Sequence, residues 1–289
     1  MKLSKKKTYR RIFAILLLFA LAAARYSLVS GALRHEGSEG SVVFSFLDVG
    51  QGDAILISSP AGDILVDTGP DNAEEALLHT LQARGVTDLR MLFLSHGDSD
   101  HAGNADTVLR SFPVRTLYLP QSGSVSGAVR AAERAADDEG TRVSRLSAGD
   151  GLYSGELCIT VLSPFSPPEG EENTDSLVLR VTYGETAVLL TGDADIAAEE
   201  RILAACAPDG LRCNLLKLGH HGSRTSTSPA FLAAVRPEYA VISCGKANAF
   251  GHPHSETLLR LQEEGICVLR TDECGEIRFV SDGKSICRE

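Results

Sequence analysis

The sequence lacks the features of a zinc-knuckle or fibrous protein. None of its seven cysteines forms a Cys-x-x-Cys pair, which argues against a structural zinc knuckle. It has neither an internal repeat nor a low-complexity segment. With 43% apolar and 23% charged residues, its composition is that of an ordinary globular protein. The 289 residues are enough to bury the core of one large domain.

Long hydrophobic runs are also missing. The longest uninterrupted apolar run, Ile12 to Ala24, has 13 residues, whereas a membrane-spanning helix needs about 20. This run follows six basic residues, a combination typical of a signal peptide. We interpret residues 1–32 as a signal peptide or an N-terminal membrane anchor, and residues 33–41 as a polar linker. On either interpretation we expect residues 42–289 to be exported, and to be extracellular or anchored to the outer side of the cytoplasmic membrane.

Basic residues are scarce in the rest of the chain. Residues 1–32 hold seven of the 28 Lys and Arg residues and none of the 38 Asp and Glu residues, so residues 33–289 have a formal net charge of −17. Nucleic-acid-binding proteins normally contact phosphates through Lys and Arg. The overall charge therefore disfavours binding of long duplex DNA. The candidates for a local basic groove are Arg110, Arg115, Lys217, Arg224 and Lys246.

Metal-capable side chains follow apolar, strand-like runs at four places. They are His96, Asp98, Asp100 and His101 after Met91–Leu94, Asp193 after Ala187–Leu190, His220 and His221 after Leu215–Leu218, and His252 and His254 after Tyr239–Ile242. Strand ends are where α/β enzymes usually place their sites. Buried charges must be paired or bound to a metal. The pattern therefore predicts a metal site, with a polar surface loop as the alternative for residues 96–101.

The order of helices and strands predicts an α/β fold. Early strand-like runs are joined as hairpins, and later ones alternate with helices, which suits two mixed sheets with helices on their outer faces. The predicted strands lie near residues 42–49, 53–58, 63–67, 89–94, 115–119, 156–162, 176–183, 186–191, 212–218, 238–244, 267–270 and 276–280. The predicted helices lie near residues 73–84, 101–111, 124–139, 195–206, 228–235 and 255–264.

Residues 96–101, His-Gly-Asp-Ser-Asp-His, resemble the His-x-His-x-Asp-His motif of the metallo-β-lactamase-fold hydrolases. Asp98 occupies the second His position, a form typical of the hydrolase domain of the ComEC family of competence DNA-channel proteins. Further segments resemble that family in the right order over residues 42–282. They are Phe46–Ala54, Leu65–Gly69, Ser176–Leu179, Leu190–Ala194, His220–Ser223 and Gly251–Pro253.

The resemblance covers only the hydrolase part of that family, because no stretch of this sequence could form a multi-span channel. It implies a four-layered αββα metallo-β-lactamase sandwich with two mixed β-sheets over residues 42–289.

The resemblance also implies a two-metal site. His96 and Asp98 would hold one metal, Asp100 and His101 the second, and Asp193 would bridge the two. His252, after the strand that precedes its loop, fits the last ligand. The alternative for Asp193 is a helix N-cap for the segment from residue 195 onward.

Several residues are assigned supporting positions around these ligands. The family usually has a His just before the strand that begins near Ser176, but this chain has Asn173-Thr174-Asp175 there, so Asn173, Asp175 or water would complete the first metal's shell. Asp67 is a second-shell candidate, because ligating imidazoles usually donate their second N–H to a carboxylate. A tight turn is its alternative role. His254 is expected to be a surface or second-shell residue.

Catalytic roles are expected for Asp100 and for the pair His220 and His221. Resemblance to family phosphodiesterases suggests that one of the two histidines protonates the leaving oxygen or binds phosphate, with His220 favoured as the inward one. Backbone N–H groups at Gly222 and Ser223 are candidates for binding the substrate phosphate. Asp48, Gln51 and Asp53 flank two glycines of a sharp turn, and the sequence does not resolve their role.

The leading hypothesis is metal-dependent hydrolysis of a phosphodiester, with nucleic acid as substrate and one or two Zn²⁺ or Mn²⁺ ions as cofactors. Asp98 favours manganese more than an imidazole would. The alternatives are hydrolysis of a small or cell-envelope phosphodiester, which the negative charge favours, and a non-catalytic DNA-uptake accessory. The membrane is an expected partner if the N-terminal segment is retained, and the sequence indicates no protein partner.

Overall fold

The structure, a computed structural model, describes residues 40–122 and 126–289. The interpretations of residues 1–32 and of most of the linker therefore fall outside the described residues. Among the residues that are described, no helix is both long and apolar enough to cross a membrane.

Two mixed sheets form the centre of the fold. The strands of the first are β1 (Val42–Phe46), β2 (Ile55–Ser59), β3 (Gly62–Val66), β4 (Leu89–Phe93), β5 (Thr116–Pro120), β6 (Arg142–Leu146), β14 (Ile277–Ser281) and β15 (Ile286–Arg288). The strands of the second are β7 (Gly151–Ser154), β8 (Leu157–Ser163), β9 (Val178–Tyr183), β10 (Thr186–Leu190), β11 (Leu215–Lys217), β12 (Tyr239–Ile242) and β13 (Cys267–Arg270). Their orders are β15-β14-β1-β2-β3-β4-β5-β6 and β13-β12-β11-β10-β9-β8-β7.

Helices cover both outer faces. The α-helices are Glu74–Ala83, Ser99–Ala102, Ala105–Ser111, Gly127–Asp138, Ile196–Ala205, Pro229–Val235, Ser255–Glu263 and Thr271–Cys274, and short 3₁₀ turns occupy Asp71–Ala73, Pro208–Gly210 and Gly219–Gly222. One apolar cluster fills the space between the sheets, and two others join each sheet to its helices. These three clusters define the four layers of the expected αββα sandwich with two mixed sheets.

The side chains of β4 show why the central strands read as unbroken apolar runs. Met91 and Phe93 belong to the cluster between the sheets, whereas Leu92 and Leu94 belong to the cluster under the helices. Successive side chains of a strand point to opposite faces. A strand covered on both faces is therefore apolar throughout, and its polar residues begin where the strand ends.

Three strands that the sequence pattern did not predict lie at sheet edges. They are β6, β7 and β15, and each has a hydrogen-bonded neighbour on one side only. In β6, Arg142 and Val143 are exposed, and β7 contains Gly151 and the exposed Tyr153. An edge strand is only partly buried, so the apolar run that marks the central strands is missing.

The helix predicted near residues 101–111 is divided in two. The segments Ser99–Ala102 and Ala105–Ser111 are separated at Asn104, whose side-chain amide donates to the carbonyl of Thr68 at 3.0 Å. Its backbone N–H donates to the hydroxyl of the same threonine at 3.2 Å. These bonds hold the start of the helix against the loop that follows β3.

The parallel half of each sheet delivers its carboxyl ends to the same region. In the first sheet β3, β4, β5 and β6 are parallel, and in the second β10, β11, β12 and β13 are parallel. The N–H of Leu177 donates to the carbonyl of Ser95 at 2.7 Å, which joins the start of β9 to the end of β4. The loops after β3, β4, β10, β11 and β12 therefore meet between the sheets.

The packing between the sheets predicts that truncation of Phe279 lowers the free energy of unfolding by a large amount. Its ring is fully buried in β14 and lies 5.1 Å from the ring of Tyr239 in the opposite sheet. We expect Phe279→Ala to lower the free energy of unfolding by about 3–5 kcal/mol, because a cavity remains where the ring was. Leu259→Ala, at a position 56% exposed on the helix Ser255–Glu263, should change it by less than about 0.5 kcal/mol. Urea unfolding followed by circular dichroism measures both, and equal losses would contradict the assignment of this core.

Candidate metal centre

Asp67 connects the ends of β3 and β4. It is the first residue after β3 and has a left-handed backbone, with φ of 60°. Its Oδ1 accepts from the N–H of Ser95 at 2.7 Å, and its Oδ2 accepts from the Ser95 hydroxyl at 2.7 Å. The same Oδ2 lies 2.9 Å from Nδ1 of His101. Asp67 thus holds the N–H of Ser95 and orients the ring of His101, a candidate ligand.

The contacts of Asp67 and Ser95 fix which nitrogen of two imidazoles carries the proton. An ionised carboxylate only accepts, so Nδ1 of His101 is the donor to Asp67. The Ser95 hydroxyl gives its one proton to Asp67, so it accepts from Nδ1 of His96, 3.0 Å away. In the neutral form of each ring, Nε2 therefore carries the lone pair that a metal ligand needs.

His221 has the same orientation. Its Nδ1 lies 2.9 Å from the carbonyl of Ser243, just after β12, and a carbonyl can only accept. Its Nε2 lies 3.2 Å from Nε2 of His101 and 3.2 Å from Oδ2 of Asp100. When both Nδ1 atoms carry the protons, two Nε2 lone pairs face each other at this distance, and a cation between them relieves the repulsion.

Asp193 lies at the centre of these side chains. Its Oδ1 is 3.1 Å from Nε2 of His101 and 3.6 Å from Nε2 of His221. Its Oδ2 is 3.9 Å from Nε2 of His96 and 3.7 Å from Nε2 of His220. Each oxygen of one buried carboxylate therefore faces its own pair of imidazoles.

Two carboxylates complete these two groups. Asp98 lies on the side of His96, with Oδ2 3.5 Å from Nε2, and Asp100 lies on the side of His221. The structure thus brings together His96 with Asp98, and Asp100 with His101, on either side of Asp193. His221 joins the second group.

The alternative role of Asp193 as a helix cap is wrong. The helix Ile196–Ala205 is capped by Asp195, whose carboxylate accepts from the N–H of Ala198 at 2.9 Å. Asp195 also accepts from the hydroxyl of Thr174 at 2.9 Å. The carboxylate of Asp193 is therefore left for the imidazoles.

The pKa values show how strongly these groups interact. Burial alone would raise the pKa of Asp193, but His101 and His221 hold it well below its usual range. Burial lowers the pKa of His101, yet Asp193 and Asp67 hold it well above its usual value. Burial also raises the pKa of Asp100, and its hydrogen bond with His221 brings it down to about 2. The carboxylates are therefore ionised at neutral pH and favour positive charge between them.

Asp53 is the functional residue that the sequence left without a role. It belongs with His101, Asp193 and His221 to a buried group whose potential ligand atoms all lie within 4.8 Å of one another. Its carboxylate, however, faces the Nδ1 side of both rings, at 3.9 Å from His101 and 3.8 Å from His221. Since both Nδ1 atoms point away from Asp193, Asp53 lies behind the ligands and supports them.

Lys217 balances the charge of Asp53. Its Nζ is 2.8 Å from Oδ2 of Asp53, and its side chain is fully buried at the end of β11. Nζ also donates to the carbonyl of Leu218 at 2.8 Å. Lys217 is therefore not available for a basic groove, and that expectation is wrong for this residue.

Gly52 allows the loop before Asp53 to pack closely against the loop of Asp100. A Cβ at Gly52 would lie 2.2 Å from the carbonyl oxygen of Asp100, so a larger residue would not fit there.

The expectation that His220 is the inward histidine is wrong. His221 is fully buried, whereas 27% of the His220 side chain is exposed. Both residues have left-handed backbones, with φ of 49° and 53°, so the alternation of a strand does not apply to them. His220 lies on the open side of Asp193, and burial lowers its pKa although Asp193 opposes this.

His252 lies beside the cluster rather than inside it. Its ring centroid is 5.4 Å from that of His220 and 6.1 Å from that of His221, and its Nδ1 has no hydrogen-bond partner. Burial, followed by the charges of His221 and His220, lowers its pKa to about 4. His254 is turned outward, where its Nδ1 accepts from the N–H of Arg224 at 3.1 Å.

Asp175 is not placed as a metal ligand. Its buried carboxylate accepts from the N–H groups of Glu169 and Gly170, at 2.9 and 2.7 Å, and so closes the loop before β9. The backbone carbonyl of Asn173 accepts from the N–H of Ser176 in the same loop. Another residue of that loop approaches the site, because Oε2 of Glu172 accepts from the N–H of Gly97 at 2.9 Å.

Ser223 is not placed to bind a substrate phosphate either. Its N–H donates to the carbonyl of His220 at 2.8 Å, and its hydroxyl pairs with that of Thr225 at 2.9 Å. Gly222 lies against Pro253, since a Cβ at this glycine would be 2.7 Å from the proline side chain. The N–H of Ser223 is therefore used within the turn that carries the two histidines.

The donor set fits divalent cations. Three imidazoles direct Nε2 lone pairs toward Asp193, each with its Nδ1 held by a hydrogen bond. Nε2 of His96 and Oδ1 of Asp193 are buried without a hydrogen-bond partner. Atoms of this kind are costly unless a cation binds them. His96, Asp98, Asp100, His101, Asp193 and His221 would therefore hold the metals, with His220 on the open side.

Comparison with known proteins identifies the same type of fold. Residues 47–246 match the metallo-beta-lactamase superfamily. The chain is 34% identical to ComE operon protein 3 of Bacillus subtilis over 84% of its own length and 33% of the relative's. It is 35% identical to competence protein ComA of Neisseria gonorrhoeae over 93% of its own length and 35% of the relative's. It therefore spans about a third of the length of these curated relatives.

A solved structure agrees in architecture. The metallo-beta-lactamase fold protein YhfI of Bacillus subtilis superposes with a TM-score of 0.56 over 83% of this chain and 100% of its own, at 14% identity. That likeness concerns the fold alone. The extent of the sequence matches, together with the two-sheet architecture and the site at the ends of its strands, shows that the chain belongs to the metallo-β-lactamase superfamily.

Proposed function

We propose that this protein is a metal-dependent phosphodiesterase that cleaves nucleic acid outside the cytoplasmic membrane. The observation that carries the proposal is Asp193, whose two oxygens face two separate groups of imidazoles and carboxylates. Such a bridging carboxylate is the arrangement of two-metal hydrolases. The relatives of this chain include a competence protein and a recombination protein, which supports nucleic acid as the substrate.

Each part of the site has a role in this reaction. When bound, the two cations would lower the pKa of a water and polarise the phosphoryl oxygen. Asp67, Ser95 and Ser243 hold the imidazoles in the tautomer that the cations require. His220, on the open side of Asp193, is the imidazole best placed to contact the leaving oxygen.

Two other functions compete with this one. The formal charge of −17 over residues 33–289 favours a small or cell-envelope phosphodiester as substrate, and a non-catalytic DNA-uptake accessory would need no metal site. A screen of metals against single-stranded DNA, duplex DNA, RNA and simple phosphodiesters distinguishes them. We expect cleavage of nucleic acid with Mn²⁺ or Zn²⁺. DNA binding that survives EDTA, with no cleavage under any condition, would establish the accessory role instead.

Asp193→Asn tests the bridging carboxylate. Asparagine keeps the shape but removes the charge and one of the two acceptor oxygens. We expect kcat/KM for nucleic acid to fall by about 100-fold or more, since a bridging ligand contributes several kcal/mol to the transition state. The metal content by mass spectrometry should fall from two ions to one or none. The matched control is Asp209→Asn, at an exposed position in the 3₁₀ turn Pro208–Gly210, which should change neither quantity.

An unchanged metal content and rate in Asp193→Asn, in protein with a native melting temperature, would contradict the two-metal assignment. A loss in both variants would point to a general effect on the fold.

Asp98→His tests the metal preference. Asp98 faces Nε2 of His96 at 3.5 Å, and its replacement exchanges a carboxylate for an imidazole in the first group. Imidazole suits zinc and carboxylate suits manganese. We expect the ratio of zinc-supported to manganese-supported activity to rise about tenfold in the variant. This change corresponds to about 1.4 kcal/mol in favour of zinc. An unchanged ratio would show that Asp98 does not contact a metal.

Export is the remaining part of the proposal, and it rests on the basic residues and apolar run of residues 1–32. We expect a fusion of residues 1–41 to alkaline phosphatase to be active in bacteria, because that reporter folds only after export. The control is a reporter fusion whose chain begins at Ser41 and so lacks residues 1–40. This control should be inactive. Recovery of the untagged full-length chain in the soluble cytosolic fraction would contradict export.

A further inference from the structure

A cavity of about 580 Å³ opens beside the metal centre. Its size is within the range of about 300–1,000 Å³ that small-molecule sites occupy. Its walls are the loop of residues 48–51, the segment from Pro70 to Ala76 at the start of a helix, the helix start at Ser99 and Asp100, and the ring of Phe250. Asp100 lies both in this wall and in the metal centre, where it is 3.2 Å from His221. Whatever fills the cavity is therefore adjacent to the reacting phosphate.

The chemistry of the wall excludes a second phosphate. Two carboxylates, Asp48 and Asp100, line the cavity, and no Lys or Arg does so among the described residues. A phosphate there would be repelled, so the cavity suits an uncharged group. Gln51 fixes one side of this wall, because its Oε1 accepts from the N–H of Gly245 at 3.1 Å.

Phe250 provides a flat apolar surface at the same place. Its side chain is 64% exposed, although one face stacks on the ring of His252 with 5.6 Å between centroids and 20° between planes. The loop is held in shape by Asn248. Its amide nitrogen donates to the carbonyls of Gly245 and His252, at 2.9 and 2.6 Å, and its oxygen accepts from the N–H of His252 at 2.9 Å. The ring is thus kept in solvent by a fixed loop.

We propose that Phe250 stacks on the nucleobase next to the scissile phosphate and that the cavity beside it receives this nucleoside. The inference rests on the proposed function and specifies its substrate. Unpaired bases are the ones that turn out of their stack and lie on an aromatic side chain, so we expect the substrate to be single-stranded nucleic acid. Base stacking on an aromatic side chain contributes about 1–3 kcal/mol. This attraction requires no basic surface and so suits the negative charge of the domain.

The absence of tryptophan from the chain allows a direct test of stacking. Phe250→Trp makes this residue the only tryptophan of the chain. Tyr153→Trp does the same at another exposed aromatic residue, which is 71% exposed on the edge strand β7. Each variant is titrated with a single-stranded phosphorothioate oligothymidylate, which resists cleavage, and with Mn²⁺. We expect strong quenching in Phe250→Trp and none in Tyr153→Trp. An abasic strand of equal length should not quench either variant.

The outcomes separate this inference from the proposed function. Equal quenching by the abasic strand would show contact with the sugar-phosphate backbone and overturn base stacking. Base stacking would also be overturned if Phe250→Trp bound the oligothymidylate in a gel shift but its fluorescence were not quenched. In that case, cleavage of DNA by the natural protein would leave the proposed function intact. Failure of the natural protein to cleave any nucleic acid would remove the proposed function, whatever the fluorescence shows.

Kinetics provide an independent measure. We expect Phe250→Ala to raise KM for a single-stranded oligonucleotide about tenfold, equivalent to about 1.4 kcal/mol, and to leave kcat within about twofold. Hydrolysis of methyl 4-nitrophenyl phosphate, which carries no base, should be unchanged. Phe250→Tyr should restore the natural KM, and Tyr153→Ala should have no effect. An unchanged KM for the oligonucleotide, or an equal loss with both substrates, would overturn the role of this ring.

Discussion

The structure depends on the compensation of three carboxylates buried between its two sheets. Asp53, Asp67 and Asp193 are each almost inaccessible to solvent. An uncompensated buried charge costs several kcal/mol. Asp67 receives two hydrogen bonds from Ser95 and faces the Nδ1 of His101, and Asp53 pairs with the buried Lys217. Burial raises the pKa of Asp193, but the imidazoles of His101 and His221 hold it well below its usual range. Of the three carboxylates, Asp193 is thus the one that depends on imidazoles, side chains that would also bind a cation.

The need to compensate these buried carboxylates explains why the site uses residues from both sheets. Asp67, Ser95 and His96 come from the ends of β3 and β4, whereas Asp193, Lys217 and His221 come from the ends of β10 and β11. The bond from the N–H of Leu177 to the carbonyl of Ser95 fixes one sheet against the other at this end. The hydroxyl of Thr191 donates to the carbonyl of Lys217, which fixes the second sheet's loops to each other. Each imidazole is thus oriented from its own sheet, by Asp67, Ser95 or Ser243, and the two sheets bring these halves of the site together at Asp193.

The sequence predicts the central strands and most of the site because both depend on burial. Strands covered on two faces are largely apolar, and the first polar residue after each marks where it ends, as Asp67 and Thr191 show. The edge strands β6, β7 and β15 lack that contrast. The choice between His220 and His221 was wrong because both have left-handed backbones, so spacing does not tell which ring turns inward. The pair of Asp53 and Lys217 joins residues far apart in the chain, and neither has a local pattern that predicts the other.

The scarcity of basic residues around this centre has a consequence for how it selects a substrate. Proteins that hold nucleic acid through many Lys and Arg contacts lose affinity steeply as salt rises, because each contact releases counterions. Here the buried Lys217 is occupied by Asp53, and Arg110 and Arg224 lie beside Asp106 and Glu256. The cations of the metal centre would then be the main attraction for phosphate, acting on the reacting group itself. For the proposed nucleic-acid substrate, affinity for the rest of the strand would come mainly from uncharged contacts, which are little affected by salt.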